Sequence, residues 1–229
     1  MNAIINSPLF GIFLTLVAFE AGVFVSKKFK YSFLNPLLIG NVLIVGFLPI
    51  TGISPESYNV GGDYISVMLS PATVVLAVPL YKQISKLRQF WMPILVGIFA
   101  GSLTSITCVI LFSKLLGLSS TLMLSLLPKS VTIPMGSVIS SQIGGIPSVT
   151  IIAITVTGIT GAVAAPAVCR FCHIKHKVAQ GIAIGTASHA LGTTRAMEMG
   201  EVQGAMSSLA IGIAGLFTAV VAPLLTAQF

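Results

Sequence analysis

The chain has 229 residues, of which 55% are hydrophobic and 7% charged, with a mean hydropathy of +1.02. A soluble domain carries roughly 25% charged residues, so these values exclude an ordinary water-soluble fold and point to a polytopic membrane protein. The formal charge of +7 does not point to nucleic acid, because Lys and Arg fall mainly in short clusters between apolar runs rather than in a basic domain.

Eight apolar runs follow in chain order. The first, about residues 8 to 26, contains Glu20 and is followed by Lys27, Lys28 and Lys30. It has no basic region before it and no small-residue cleavage site, which favours a retained helix over a signal peptide. Run two covers about 34 to 50, and a short polar connection from Thr51 to Gly62 carries Glu56. Run three starts near Asp63, reaches Leu80 and contains Pro71 and Pro79. Lys82, Lys86 and Arg88 precede run four, Trp91 to about Phe112. Run five, about 120 to 142, holds Pro128, Lys129 and Pro134. The Gly144-Gly145-Ile146-Pro147 turn leads to run six, which ends near Val168. The basic segment Arg170 to Lys177 precedes run seven, from near Val178, and run eight covers about 204 to 225.

Each full run has the roughly 20 residues that cross a 30 Å hydrocarbon layer as a helix. The runs lack the alternation of a transmembrane barrel. The expected fold is therefore all-α, a single integral membrane domain over residues 1–229 with seven or eight segments. The charge clusters test its topology. If every run crosses once, Arg170, Lys175 and Lys177 fall on the side opposite the earlier clusters, against the positive-inside rule. A re-entrant or incomplete run five removes the conflict, and a plain exception to the rule is the alternative.

Two stretches concentrate polar groups inside oil. In run five a lysine stands between two prolines, and Pro134 cannot donate a backbone hydrogen bond to residue 130. Interrupted helices with unwound backbone are a membrane solution for binding small ions at mid-depth. Lys129 adds a charge there, and Ser130 and Thr132 add hydroxyls. The competing reading is a lysine snorkelling to one surface. In run seven, Thr186, Ser188, His189, Thr193, Arg195, Glu198 and Glu201 fall within sixteen positions, with Gly185 and Gly192 on either side of the histidine. Such groups are costly in a bilayer unless they face protein or a water-filled cavity. Arg195 and Glu198, three apart on a helix, are placed to form an ion pair, or Arg195 anchors a carboxylate. Alternatively, Arg195, Glu198 and Glu201 lie beyond the membrane edge.

Pro71, with Ser66, Ser70 and Thr73, marks a third candidate helix break. Glu20 is a candidate proton-coupling carboxylate. Cys169-Arg-Phe-Cys172-His173 matches a haem-attachment spacing, and His176 completes a possible zinc set, but eight residues at a helix end leave little room for tetrahedral closure. No metal or cofactor is expected. No phosphate-binding glycine loop follows a strand, and no nucleophile is convincingly paired with a base, so the protein is not expected to be an enzyme.

Several blocks in fixed order then carry a resemblance: Asn35-Pro-Leu-Leu38, Pro71-Ala-Thr73 with Pro79-Leu-Tyr-Lys82, Pro128-Lys-Ser-Val-Thr132 with Pro134, Ile143-Gly-Gly-Ile-Pro147, and Gly185 to Thr193. Glu198 and Gly204 to Ser208 extend it. These blocks resemble the LrgB family of bacterial membrane proteins, also described as CidB/LrgB or antiholin-like. Ile133 and Thr194 depart from the family pattern without removing a charge or a proline. The resemblance implies a multi-pass inner (plasma) membrane protein that often works beside a small four-helix partner of the LrgA/CidA type. It implies two functions: holin/antiholin-like control of murein hydrolase activity and lysis, or passage of small monocarboxylates. The latter are pyruvate in bacteria, and glycolate and glycerate in a related plastid protein.

The reading that joins these observations is a small organic anion held in the bilayer by Lys129 and Arg195. Ser130, Thr132, Thr186, Ser188 and Thr193 supply hydrogen bonds, and His189 changes protonation. Pro71, Pro128, Pro134, Gly185 and Gly192 are the expected helix breaks, with a close helix crossing as the alternative at the two glycines. The runner-up is an oligomeric holin-like pore. Two interrupted segments are compatible with an inverted-repeat transporter, although no internal self-similarity is visible. The glycine- and serine-rich last run offers a face for a homo-oligomer.

Overall fold

In a computed structural model of the chain, residues 5–29, 36–68, 71, 74–75 and 81–226 are described. Among them every regular element is helical. The chain divides into two compact units, Met1–Val75 and Leu76–Phe229.

The first unit contains α1 (Pro8–Phe29), α2 (Pro36–Thr51) and α3 (Pro55–Val67), with α1 packed on both others. Close approach rests on Gly11 and Gly61, whose backbones meet so tightly that a Cβ on either would strike the other helix. Thr15 Oγ1 lies 2.9 Å from the Tyr58 hydroxyl across the same seam. The expected polar connection from Thr51 to Gly62 is mostly helix instead. Ser54 caps α3 by accepting from the Ser57 amide at 3.2 Å, Pro55 occupies the first turn, and Glu56 faces its positive end. Glu20 is exposed on α1. Pro71 is exposed, but the neighbours that would define a break at it (Ser70 and Thr73) lie outside the described residues, as do Asn35 and Pro79.

The second unit contains α4 (Ile84–Leu115), α5 (Ser120–Leu126), α6 (Ile133–Gln142), α7 (Pro147–Phe171), α8 (Lys177–Met199) and α9 (Glu201–Thr226). Four helices among the described residues are long and apolar enough to cross a membrane: Pro8–Phe29, Arg88–Leu115, Pro147–Phe171 and Glu201–Thr226. Run five is broken in two. At 1.5 Å per residue, α5 and α6 span roughly 10 and 15 Å, and neither alone crosses a bilayer core. Ser119 caps α5, and Pro134 sits in the first turn of α6, where its missing N–H costs nothing. Three buried polar side chains hold this element to α7. Thr150 Oγ1 lies 2.7 Å from both the Ser125 carbonyl oxygen and Ser140 Oγ, and the Ile146 amide donates to Ser125 Oγ at 2.7 Å.

Helix α8 is broken too, at His189, where φ is 42° and ψ is −140°. The break falls on the histidine rather than on Gly185 or Gly192. Those glycines serve packing. A Cβ on Gly185 would collide with the Ser207 carbonyl on α9, and one on Gly192 would strike the Ser188 side chain. With Gly181 one turn earlier against Gln203, α8 and α9 form the most extensive helix pairing in the unit. A cluster of Ile94, Ile98, Val178, Ile182, Ala205, Met206, Ala210 and Ala214 ties α4, α8 and α9 together.

Candidate functional site

Basic side chains in this chain divide by exposure. Among those whose exposure is described, Lys129 and Arg195 alone are less than fully exposed. Lys129 lies on the turn between α5 and α6, after Pro128 and before Pro134, which opens α6. Its ammonium donates to Ser105 Oγ on α4 at 3.3 Å and to Ser130 Oγ at 3.2 Å. The two serine oxygens lie 3.1 Å apart. Among the described residues no carboxylate pairs with Lys129. The cation is thus solvated by neutral hydroxyls alone, and a third N–H remains to be satisfied.

These groups line a cavity of about 690 Å³ between α4, the α5–α6 turn and α8. Its existence follows from small residues on α4: Gly97, Gly101 and Ser105 recur every four positions and make that wall recede. Thr186 faces them from α8. It is 5% exposed, and its Oγ1 has no hydrogen-bond partner. Ser102 Oγ is likewise buried without a partner. Ser102, Ser105, Ser130, Thr186 and Thr218 surround a second, much smaller space of about 10 Å³, which is about the room one water needs.

The break in α8 distributes the other polar residues. Thr186 points to the cavity, whereas Ser188 and His189 turn to α7 against Gly161 and Gly158. His189 Nε2 meets the Ile154 carbonyl oxygen at 2.9 Å, and since that oxygen can only accept, Nε2 carries a proton. Thr193 Oγ1 lies 2.6 Å from Ser207 Oγ and donates to the His189 carbonyl at 3.0 Å. Arg195 pairs with Glu198 at 2.5 Å, with side chains 37% and 59% exposed, and it does not line the Lys129 cavity. Thr132 is half-buried at the start of α6, outside the cavity wall. The structure therefore brings together Lys129, Ser130 and Thr186, and holds Ser188, His189 and Thr193 in helix packing. Cys169 is buried and Cys172 exposed, and among the described residues no three His, Cys, Asp or Glu side chains gather around a metal-sized space.

Sequence reasoning missed Ser102, Thr104, Ser105 and Cys108 on α4, and Phe90 and His176, all but Ser102 on the larger cavity. A signal was available. Gly97, Gly101 and Ser105 at spacing four, with hydroxyls clustered at 102 to 105, mark a small polar face inside an apolar helix.

A profile of the LrgB-like family matches residues 15–228. The chain belongs to this family. It is similar to the Antiholin-like protein LrgB of Bacillus mycoides (strain KBAB4), with 40% identity over 219 residues covering 95% of each chain. The protein of the same name from Bacillus cereus (strain B4264) matches over the same length at the same identity. No solved structure matches. As an LrgB-like protein with several long apolar helices, the chain is a multi-pass protein of the bacterial inner membrane.

Proposed function

We propose that this LrgB-like chain is an antiholin-like membrane protein whose working part is an anion-binding cavity at Lys129. The relatives' names support the first half and favour a role in lysis control over transport alone. The observation that carries the second half is a half-buried ammonium with no carboxylate partner, held by two serines on the wall of a large cavity. A monocarboxylate of the pyruvate, glycolate or glycerate kind would accept from the free N–H of Lys129. Thr186, whose buried hydroxyl has no partner, stands beside this end of the cavity on the small second space.

The remaining residues take supporting roles in this proposal. Ser188, His189 and Thr193 fix the break in α8, and Thr132 fixes the start of α6. Arg195 becomes available to a carboxylate only in a conformation that opens its pair with Glu198. Glu20 is kept as the candidate coupling carboxylate. A single membrane domain of seven or eight segments, an inverted repeat, a small LrgA/CidA-type partner and a homo-oligomer belong to the same proposal, as does the absence of catalysis and of a cofactor. Support for the carrier-like part comes from two broken elements, α5–α6 and α8, that share one cavity.

Proteoliposomes with the purified chain, with and without its small partner, test the proposal. Saturable monocarboxylate uptake that Lys129→Gln removes supports the cavity. Nonselective dye leakage supports a pore. Murein hydrolase activity in cells expressing either version tests whether lysis control depends on the same lysine.

A further inference from the structure

The proposed anion site leaves most of its cavity unused. Phe90 and Ser105 both line it, and fifteen residues of α4 separate them, roughly 20 Å at 1.5 Å per residue. The polar groups are gathered at the Lys129 end by the contacts among Lys129, Ser105 and Ser130, with Thr186 beside them. Away from that end the walls are Pro93, Gly97, Val178, Ile182 and Ala183, and at the far end Phe90 packs edge-on against the His176 ring at 5.5 Å. Among the described residues no carboxylate lines the space, and Lys129 is the one lysine or arginine that does. A volume of about 690 Å³ belongs to the class of pockets, roughly 300–1,000 Å³, that enclose drug-sized ligands. A two- or three-carbon acid at Lys129 would leave the apolar walls against water.

We infer that the cavity selects a monoanion with an extended apolar body, its carboxylate at Lys129 and its chain along α4 toward Phe90. This rests on the anion-binding reading above and shifts its preferred ligand from two- and three-carbon oxo and hydroxy acids to longer apolar acids. The lining decides what is refused. A zwitterion would place its ammonium beside Lys129, where among the described residues no carboxylate receives it. Each methylene that leaves water for the apolar wall adds about fourfold in affinity, so two add roughly tenfold or a little more.

Equilibrium binding to the purified full chain tests this with acetate, butyrate, hexanoate, norleucine and hexylammonium as probes. Lys129→Gln, checked for an unchanged melting temperature, supplies the baseline for nonspecific partitioning, and Lys129→Arg controls for folding because it keeps the charge. The expected result is lysine-dependent affinity rising about tenfold from acetate to butyrate and again to hexanoate. Norleucine and hexylammonium should bind far more weakly. Ala183→Leu, which fills an exposed position on the apolar wall, should lower the hexanoate-to-acetate ratio. Lysine-dependent binding with no rise along the series overturns the inference and leaves the anion site standing. Hexylammonium binding as well as hexanoate also overturns it. No lysine-dependent binding of any acid overturns both readings. An anionic lipid shares this chemistry with a soluble acid. Nanodiscs with and without phosphatidylglycerol separate the two, because competition by the lipid assigns the site to it.

Discussion

The Lys129 ammonium donates to Ser105 Oγ, 3.3 Å away and twenty-four residues earlier in the chain, so a broken element and a long helix share one cation. Exchanging Lys129 for Gln removes a charged donor from the cavity. Monocarboxylate affinity should fall about 10- to 100-fold, the range for losing a hydrogen bond to a charged group. Ser105→Ala keeps the charge but loses one of its acceptors, and should cost less than tenfold. Isothermal binding or competition with a labelled acid measures both.

Cys108 lines the same cavity and is half-buried. In a background with Cys169 and Cys172 changed to Ser, a small thiol reagent should modify Cys108, and saturating monocarboxylate should slow the reaction. Lys129→Gln should abolish that protection while Cys108 stays reactive. Mass spectrometry over a time course reads the rates. Equal protection in both backgrounds would place the anion elsewhere.

His189 adopts a positive φ that a side-chain-bearing residue rarely takes, while its ring satisfies the Ile154 carbonyl. His189→Ala loses the ring contact and keeps the strain; His189→Gly loses the contact and relieves the strain. Both should be less stable than wild type, with glycine the milder by about 1 kcal/mol or more. Thermal melts in one detergent give the ranking, and an alanine variant as stable as the glycine variant would refute it.

Gly185 and Gly212 provide a matched pair. A methyl at Gly185 meets the Ser207 backbone, and Gly185→Ala should destabilise by about 1–3 kcal/mol. Nothing lies within 4 Å of a methyl at Gly212, so Gly212→Ala should be neutral or gain up to about 1 kcal/mol. The same melts decide this.

The Arg195–Glu198 pair is largely exposed, so Glu198→Gln should change stability by about 0–1 kcal/mol. If Arg195 serves a carboxylate once the pair opens, the variant should bind acid more tightly than wild type. Unchanged affinity would confine Arg195 to its pair.

Much of this was readable without coordinates, for physical reasons that differ by residue. Pro128 and Pro134 flank the break in run five, but Pro93, Pro166 and Pro223 lie inside helices, so a proline alone does not decide a break. Gly185 and Gly192 read as a break or a close helix crossing; the break occurs at His189, while Gly185 makes the close crossing with α9 and Gly192 packs on Ser188. Polar composition predicted one cluster from Thr186 to Arg195, but the break sends these residues to three different neighbours. Periodicity cannot foresee that, since it assumes an unbroken helix. Ser105 was overlooked because a serine in an apolar helix is ordinary until its partner across the cavity is known. The helix at Pro55 was missed although Ser54-Pro55-Glu56 spells a start.

The turn carrying Lys129 is held by its own backbone, with the Lys129 N–H donating to the Leu126 carbonyl and the Val131 N–H to the Pro128 carbonyl, both at 3.2 Å, and Pro134 opening the helix that follows. The proposed anion site would therefore be assembled when the chain folds. A ligand arriving there meets donors already in place, and little of its binding energy is spent on ordering protein. Selectivity should then appear as differences in residence time among acids that arrive at similar rates.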